Sequence, residues 1–398
     1  MISFRVLKKS KNSSARLGVI KTPHGEVETP AFVPVATQAT VKTLDSLRVR
    51  ETGTQILIAN TFHLHLKPGE EIIKKNGGLH KFMNWPKPLM TDSAGFQVFS
   101  FGFGRDYETG KVLKNQNSSH KSSLQKITVF HKPQKIKITN QGVYFQSPLD
   151  GKEIFIGPQE SIRIQEKLGA DIIFAFDECP SPLADYYYNQ KALERTHAWA
   201  KICLKTKKTN QALFGIVQGG KYKDLRKTSA NFIGSLDFDG FGIGGEFGID
   251  KKSMRAILKV TINELPSNKP RHLLGIGHLE DILLAVKEGV DTFDCIVPTH
   301  YARHGYAFVG KIPENLKGAG LSMRKNKIDL NKRKYLKENK PLDKYCNCFV
   351  CQNYSRSYIC HLLKAKEITA LSLLTFHNLY FFNKYLEKIR KEIKKGNL

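Results

Sequence analysis

Asp291-Thr-Phe-Asp-Cys-Ile-Val-Pro-Thr-His-Tyr-Ala-Arg-His-Gly305 joins an apolar run of strand character to a basic, aromatic loop. Phe293, Cys295, Ile296 and Val297, stopped by Pro298, read as a buried strand, and a carboxylate inside it, Asp294, has to be paired, protonated or functional. A hydrogen-bonded structural Asp near a strand end is the plain alternative. The loop beyond carries His300, Arg303 and His304, groups able to hold a phosphate beside that carboxylate. A nucleophilic Asp next to a sugar phosphate points to glycosyl transfer on nucleic acid.

Runs of the same kind recur along the chain, at 31–37, 55–60, 88–92, 171–178, 212–219, 240–245, 271–277 and 291–298. Helix-like segments lie between the later ones, as at 158–168 and 279–287, the alternation expected of a parallel barrel. Many of the runs finish on a polar group: Asn60, Asp92, Asp177 with Glu178, Gln218 and, within the last, Asp294. Polar side chains meeting at the carboxyl ends of many strands suit a (β/α)8 TIM barrel enzyme, whereas an open doubly wound sheet gathers its ligand groups near one switch point.

The 398 residues leave ample chain for a large core, and 63 Lys and Arg against 36 Asp and Glu give a formal charge of +27, which points to a polyanion such as nucleic acid. Seven cysteines are too few and too uneven for a secreted disulfide scaffold. Neither a signal-like N-terminus nor an apolar stretch of about twenty residues is found, so a cytoplasmic protein without a membrane span is expected. From 104 to 141 the chain turns polar and Lys-rich and reads as an insertion between barrel strands, with a short β-like piece at 124–130. Beyond Gly310 the barrel rhythm stops, and two helical patterns, 356–366 and 370–395, close the chain.

Cys346-Asn-Cys-Phe-Val-Cys351 offers three thiolates, and zinc requires a fourth ligand, for which His377, His361 and Cys360 are available. The reading is therefore a catalytic barrel over 1–310 and a zinc-binding helical subdomain over 311–398. In Met90-Thr-Asp-Ser-Ala-Gly-Phe-Gln97, small residues let a flat ligand approach, Phe96 can stack on a base and Asp92 can move a proton. Asp177 and Gln218 supply a carboxylate and an amide able to read the edge of a purine, and Gly244-Gly245 makes a turn whose backbone N–H groups can face a carbonyl.

Taken together, Thr91-Asp-Ser-Ala-Gly-Phe-Gln-Val98, Phe176-Asp-Glu-Cys179, Phe214-Gly-Ile-Val-Gln-Gly219, Ile243-Gly-Gly245, Phe293-Asp-Cys-Ile-Val-Pro-Thr299 and the cysteine cluster with His377-Asn378 closely resemble the bacterial tRNA-guanine transglycosylases. The resemblance runs from Ala31 to Asn378. It implies exchange of guanine at the wobble position of a tRNA anticodon loop for a free deazaguanine base, by a homodimer. It further implies Asp294 as nucleophile, Asp92 as proton shuttle, and Asp177, Gln218, Gly244 and Gly245 as the base clamp bordered by Phe96 and Cys179. His300 and Arg303 fall where the RNA would be met, and Cys346, Cys348, Cys351 and His377 where zinc (Zn2+) would bind. Ala94 replaces a customary Gly, His300 an Arg, and Glu246 a Leu. Gly248, where bacterial members tend to carry Val, leads to the expectation of a pocket wide enough for queuine as well as the aminomethyl precursor. A non-catalytic zinc-dependent tRNA-binding partner subunit is the alternative, but such a chain would be expected to lose its nucleophile, and this one keeps both aspartates.

Overall fold

The computed structural model describes residues 2–103, 136–248, 250–316 and 320–398. Most of the 104–141 insertion, including the β-like piece expected at 124–130, lies outside the described residues. Eight parallel strands close into a barrel: β1 (Ala31–Ala36), β2 (Leu57–Ala59), β3 (Leu89–Thr91), β4 (Ile172–Phe174), β5 (Ala212–Val217), β6 (Gly240–Ile243), β7 (Arg271–Leu273) and β8 (Thr292–Cys295). Closure is made by β8 on β1, with Thr292 opposite Ala31 and Cys295 opposite Pro34.

The period-2 alternation of each strand sorts its side chains into two cores. Val33, Ile58, Met90, Ile172, Phe174, Phe214 and Ile216 fill the lumen, whereas their neighbours Phe32, Leu57, Leu89, Ile173 and Leu213 face the surrounding helices. On β6 the lumen positions are Gly240 and Gly242, and a Cβ there would come within 2.5 Å of the Phe214 ring and 3.0 Å of Phe174 respectively. Those two rings therefore occupy the space that β6 leaves open.

The N-terminal end of the barrel is sealed by a hairpin ahead of the first barrel strand. Its strands Arg16–Thr22 and Gly25–Thr29 are antiparallel, and they send Ile20 and Val27 into the lumen core. Arg16 grips Asp291 with two hydrogen bonds, Nε to Oδ1 at 2.8 Å and Nη2 to Oδ2 at 2.5 Å, with both side chains buried. Asp291 also accepts from the Arg271 backbone N–H at 2.8 Å, so it fixes β7 and β8 to the hairpin.

Two expected boundaries shift. Pro298 does not end a strand: β8 stops at Cys295 and Pro298 sits in the first turn of a helix, Val297–Arg303, where its missing N–H costs nothing. The basic loop is therefore a helix. Past the barrel, a hairpin (Tyr306–Phe308 with Lys327–Asp329) leads to three helices, Phe349–Asn353, Arg356–Lys364 and Ile368–Lys395. The last buries Leu379, Phe382, Leu386 and Ile389 along one apolar face. It is pinned along the barrel by Arg390 Nη1 to Pro30 O at 2.9 Å and Asn383 Nδ2 to Thr52 O at 3.0 Å.

Candidate active site and metal cluster

Asp92 follows β3 at the carboxyl end of the barrel. Its Oδ1 accepts from the backbone N–H groups of Thr61 (3.0 Å) and Ala94 (3.1 Å), and its Oδ2 from Asn60 Nδ2 at 2.5 Å. The amide of Asn60 cannot turn over, because its oxygen caps the following helix by accepting from His63 N–H. Part of Asp92 reaches the cleft, yet its carboxylate is ringed by protein, and this burial, aided by the charge of Asp294, raises its pKa to about 7. The backbone donors of Ala94 and Thr61 oppose the shift and lose. Asp92 can thus both hold and release a proton near neutral pH.

Asp294 faces the same cleft from β8. Its Oδ1 accepts from Gly275 N–H at 2.9 Å and lies 3.1 Å from His272 Nε2. His272 is fully buried in β7, with Nδ1 2.9 Å from the Thr292 hydroxyl. A Thr292 hydroxyl that donates to Nδ1 leaves the ring proton on Nε2, aimed at Asp294. The sequence reading missed His272, because within Arg-His-Leu-Leu it passes for an ordinary strand residue.

A third carboxylate, Asp177, accepts from Ser93 Oγ at 3.0 Å and from Gln218 Nε2 at 2.7 Å. Since a carboxylate only accepts, the Gln218 amide is fixed with Oε1 turned away, buried and without a hydrogen-bond partner. The turn has to be glycine: a Cβ on Gly245, at φ +80°, would sit 2.5 Å from that oxygen, and one on Gly244 2.8 Å from Nε2. Gly95 is equally forced, since a Cβ there would meet Asp177 O at 2.6 Å. Phe96 opens the next helix with 40% of its surface exposed, and Cys179 is half-buried.

Beneath this turn lies a residue that the sequence hid. Arg226 is fully buried and donates to Gly220 O (2.8 Å), Gly244 O (2.7 Å) and Glu246 O (2.7 Å), tying the loop after β5 to the loop after β6. Burial lowers its pKa to about 10, which leaves it charged at neutral pH. Glu246 itself is buried with Oε1 unpaired, and burial raises its pKa. Gly248 does not widen the pocket in the manner expected from its missing side chain. At φ +88° its Cβ direction runs into Ser253, 2.5 Å away on the Lys251–Asn263 helix, so the absent side chain leaves no cleft behind. Ala94, by contrast, adopts φ +69°, a conformation in which glycine is unstrained.

His300 and Arg303 lie on the helix after β8. The His300 pKa is lowered by burial and by neighbouring His304, Arg303 and Lys42, so a neutral ring is favoured, and the fixed cation here is half-buried Arg303, which donates to Thr299 O at 3.1 Å.

Cys346, Cys348, Cys351 and His377 come together with one ligand atom of each within 4.8 Å of the others, which resolves the choice among His377, His361 and Cys360. His377 Nδ1 lies 3.5 Å from Cys348 Sγ and 3.3 Å from Cys351 Sγ, while Nε2 donates to Phe308 O at 2.6 Å. That carbonyl keeps the proton on Nε2 and the lone pair toward the thiolates, as a metal-binding histidine requires. The donor set and its burial fit a closed four-ligand metal site. The next residue, Asn378, holds Pro298 O (3.1 Å), Tyr306 O (3.0 Å) and Phe308 N–H (2.9 Å).

Known sequences agree in their direction. A sequence model of the family described as queuine tRNA-ribosyltransferase matches residues 10–132 and 111–398. The chain is 44% identical over 399 residues to the queuine tRNA-ribosyltransferase of Halothermothrix orenii, covering 100% of this chain and 95% of that one. It is also 44% identical over 400 residues to the protein of the same name from Caldanaerobacter subterraneus subsp. tengcongensis, with the same coverage. A protein of Archaeoglobus fulgidus, provisionally given that name, is 46% identical over 383 residues, 96% of this chain and 94% of its own.

Proposed function

The chain belongs to the queuine tRNA-ribosyltransferase family, and on that premise we propose how its residues divide the reaction. The enzyme is a pentosyltransferase, a tRNA-guanine transglycosylase of queuosine synthesis. Asp294 attacks the ribose anomeric carbon of the wobble nucleotide as the bond to guanine breaks, giving a ribosyl ester of the aspartate. Asp92 gives its proton to the departing guanine and later takes one from the incoming deazaguanine, whose attack on the same carbon restores Asp294. Two displacements retain configuration. The observation that carries this assignment is the pairing in one cleft of an oriented carboxylate, Asp294, with a second, Asp92, whose pKa near 7 suits a proton shuttle.

Asp177 and the unpaired Gln218 Oε1 are both acceptors, matched to the N–H donors of a guanine-type edge, and the Gly244-Gly245 turn offers backbone donors to its carbonyl. Phe96 and Cys179 border the ring. Arg303, with His300 beside it, meets the phosphates of the anticodon loop. Zinc, when bound by Cys346, Cys348, Cys351 and His377, supplies a structural cross-link. The family likeness supports a homodimer acting in the cytoplasm, built from a barrel over 1–310 and an appended metal subdomain. Among the described residues, no helix is long and apolar enough to cross a membrane. Buried Glu246 favours a cationic aminomethyl group on the incoming base, and parallel exchange assays with that precursor and with queuine compare the two.

The central test is mass spectrometry of the enzyme incubated with an anticodon stem-loop RNA and a slow deazaguanine analogue. An RNA adduct mapping to the peptide that holds Asp294 is expected. An adduct on Asp92 would reverse the roles.

A further inference from the structure

At the end of the barrel opposite the catalytic cleft lies a second group of ligand-type side chains. His24 sits in the turn of the N-terminal hairpin, His80 in the helix Gly78–Phe82, and Asp171 immediately before β4. One ligand atom of each lies within 4.8 Å of the others. His24 Nδ1 is 2.7 Å from Asp171 Oδ1, His80 Nε2 is 3.3 Å from Oδ2, and the two rings stack at 3.5 Å. Asp171 is held in advance: Oδ2 accepts from Leu89 N–H at 2.9 Å, and its own N–H donates to Leu89 O at 2.9 Å.

His80 is the informative member. Its Nδ1 is 2.9 Å from the carbonyl of Trp85, which can only accept, so Nδ1 carries a proton. In the neutral ring Nε2 then presents a lone pair. That atom is buried, makes no hydrogen bond, and belongs to a side chain only 10% exposed, yet it faces a carboxylate oxygen at ion-pair distance. Two acceptors facing one another out of water require a cation between them. A histidine that donates one ring nitrogen to a backbone carbonyl while turning the other toward a carboxylate is arranged as metal-bound histidines are.

We propose that His24, His80 and Asp171 form a site for a first-row transition dication such as zinc. The two imidazoles and one carboxylate are a nitrogen and oxygen donor set suited to such an ion. Tetrahedral bonds of about 2.0–2.2 Å place ligand atoms about 3.3–3.6 Å apart, a spacing that His80 Nε2 and Asp171 Oδ2 already have, whereas His24, stacked on His80 and paired with the other carboxylate oxygen, has to swing out of the stack to turn a nitrogen to the same ion. His24 is 40% exposed and has room to do so. The fourth position faces water on that side. Because the three residues come from the hairpin, a flanking helix and the start of β4, the ion would clasp the hairpin to the barrel floor, far from the chemistry. A proton on His80 is the competing occupant.

The experiment is zinc titration of the full-length enzyme already saturated at its cysteine cluster, followed by calorimetry and metal analysis. Wild type is expected to take one further equivalent and to gain thermal stability from it. His24→Ala and His80→Gln should each weaken that equivalent by about tenfold or more, while the cysteine-bound metal and guanine exchange stay unchanged. Failure of wild type to bind a further equivalent would show that a proton fills the site and overturn the proposal. Equal binding in both variants would assign the ion to other histidines and overturn it too. Should His80→Gln fold poorly, the exposed His24→Ala decides.

Discussion

Asp291 and Asp171 at the N-terminal end of the barrel are held differently from Asp92 at the other. At the N-terminal end Asp291 is clamped by the Arg16 guanidinium, and Asp171, although buried, is brought below the ordinary carboxylate pKa by the imidazoles of His80 and His24 beside it. At the C-terminal end Asp92 is surrounded by neutral donors, Asn60 and two backbone N–H groups, and burial lifts its pKa to about 7. The fold thus neutralises acids where it needs rigidity and leaves them titratable where a proton has to move. Burial alone does not mark a working carboxylate. What separates Asp291 from Asp92 is the fixed positive partner that the first has and the second lacks.

If that division is right, a change at either end should be felt in a different measurement. The largest effect is expected for Asp294→Asn, which keeps the shape but removes the nucleophile: exchange of labelled guanine should fall by at least about a thousandfold, with RNA affinity within a few-fold of wild type. Retained exchange would strip Asp294 of its role. At the other end, Arg16→Met strands the buried Asp291 charge and should cost about 3–5 kcal/mol of stability. Denaturant melts would read this, while turnover per folded molecule stays close to wild type. An active-site defect of similar size would dissolve the contrast between the two ends.

Asp92→Asn comes next, with an expected loss of about a hundredfold in turnover. Guanine release by wild type should decline above about pH 7, as Asp92 loses its proton, and the variant should lack that limb. The same shift has a stability sign. The folded protein keeps a proton on Asp92 that the unfolded chain releases near pH 3.8, so stability drains between about pH 4 and pH 7, and then levels off. Comparing the pH dependence of melting in wild type and variant isolates this contribution. The smallest effect belongs to Ala94→Gly. Relieving φ +69° should stabilise the protein by about 1 kcal/mol, provided that the turn holding Asp92 keeps its shape.

The barrel could be read from the chain because the strands lie in short apolar runs, most of which end on a polar residue or a glycine. The runs overshot their C-terminal ends, since Gly219, Gly245 and Gly275 turn the backbone out at positive φ before the apolar pattern fades. The carboxylates and the cysteines were equally visible, as polar or clustered residues where apolar or scattered ones belong. Arg226 was not, because in Lys-Asp-Leu-Arg-Lys-Thr it resembles its solvated neighbours, and only the tertiary fold shows that it turns inward beneath the glycine turns. His272 is lost in the same way within a strand. The Arg16–Asp291 pair joins residues 275 positions apart, a separation over which neither periodicity nor spacing carries a signal.

His377 and Asn378 are consecutive on one helix, yet the first faces the cysteines and the second holds the carbonyls of Pro298 and Tyr306, at the start and just past the end of the helix that follows the nucleophile strand. Such adjacency makes the two places thermodynamically linked, and linkage is reciprocal. Whatever grips the Val297–Arg303 helix also steadies the imidazole of His377, so an occupied enzyme should surrender its metal to a chelator more slowly than an empty one. Metal retention then becomes a gauge of occupancy, read at residues well beyond β8 along the chain without touching the chemistry at all.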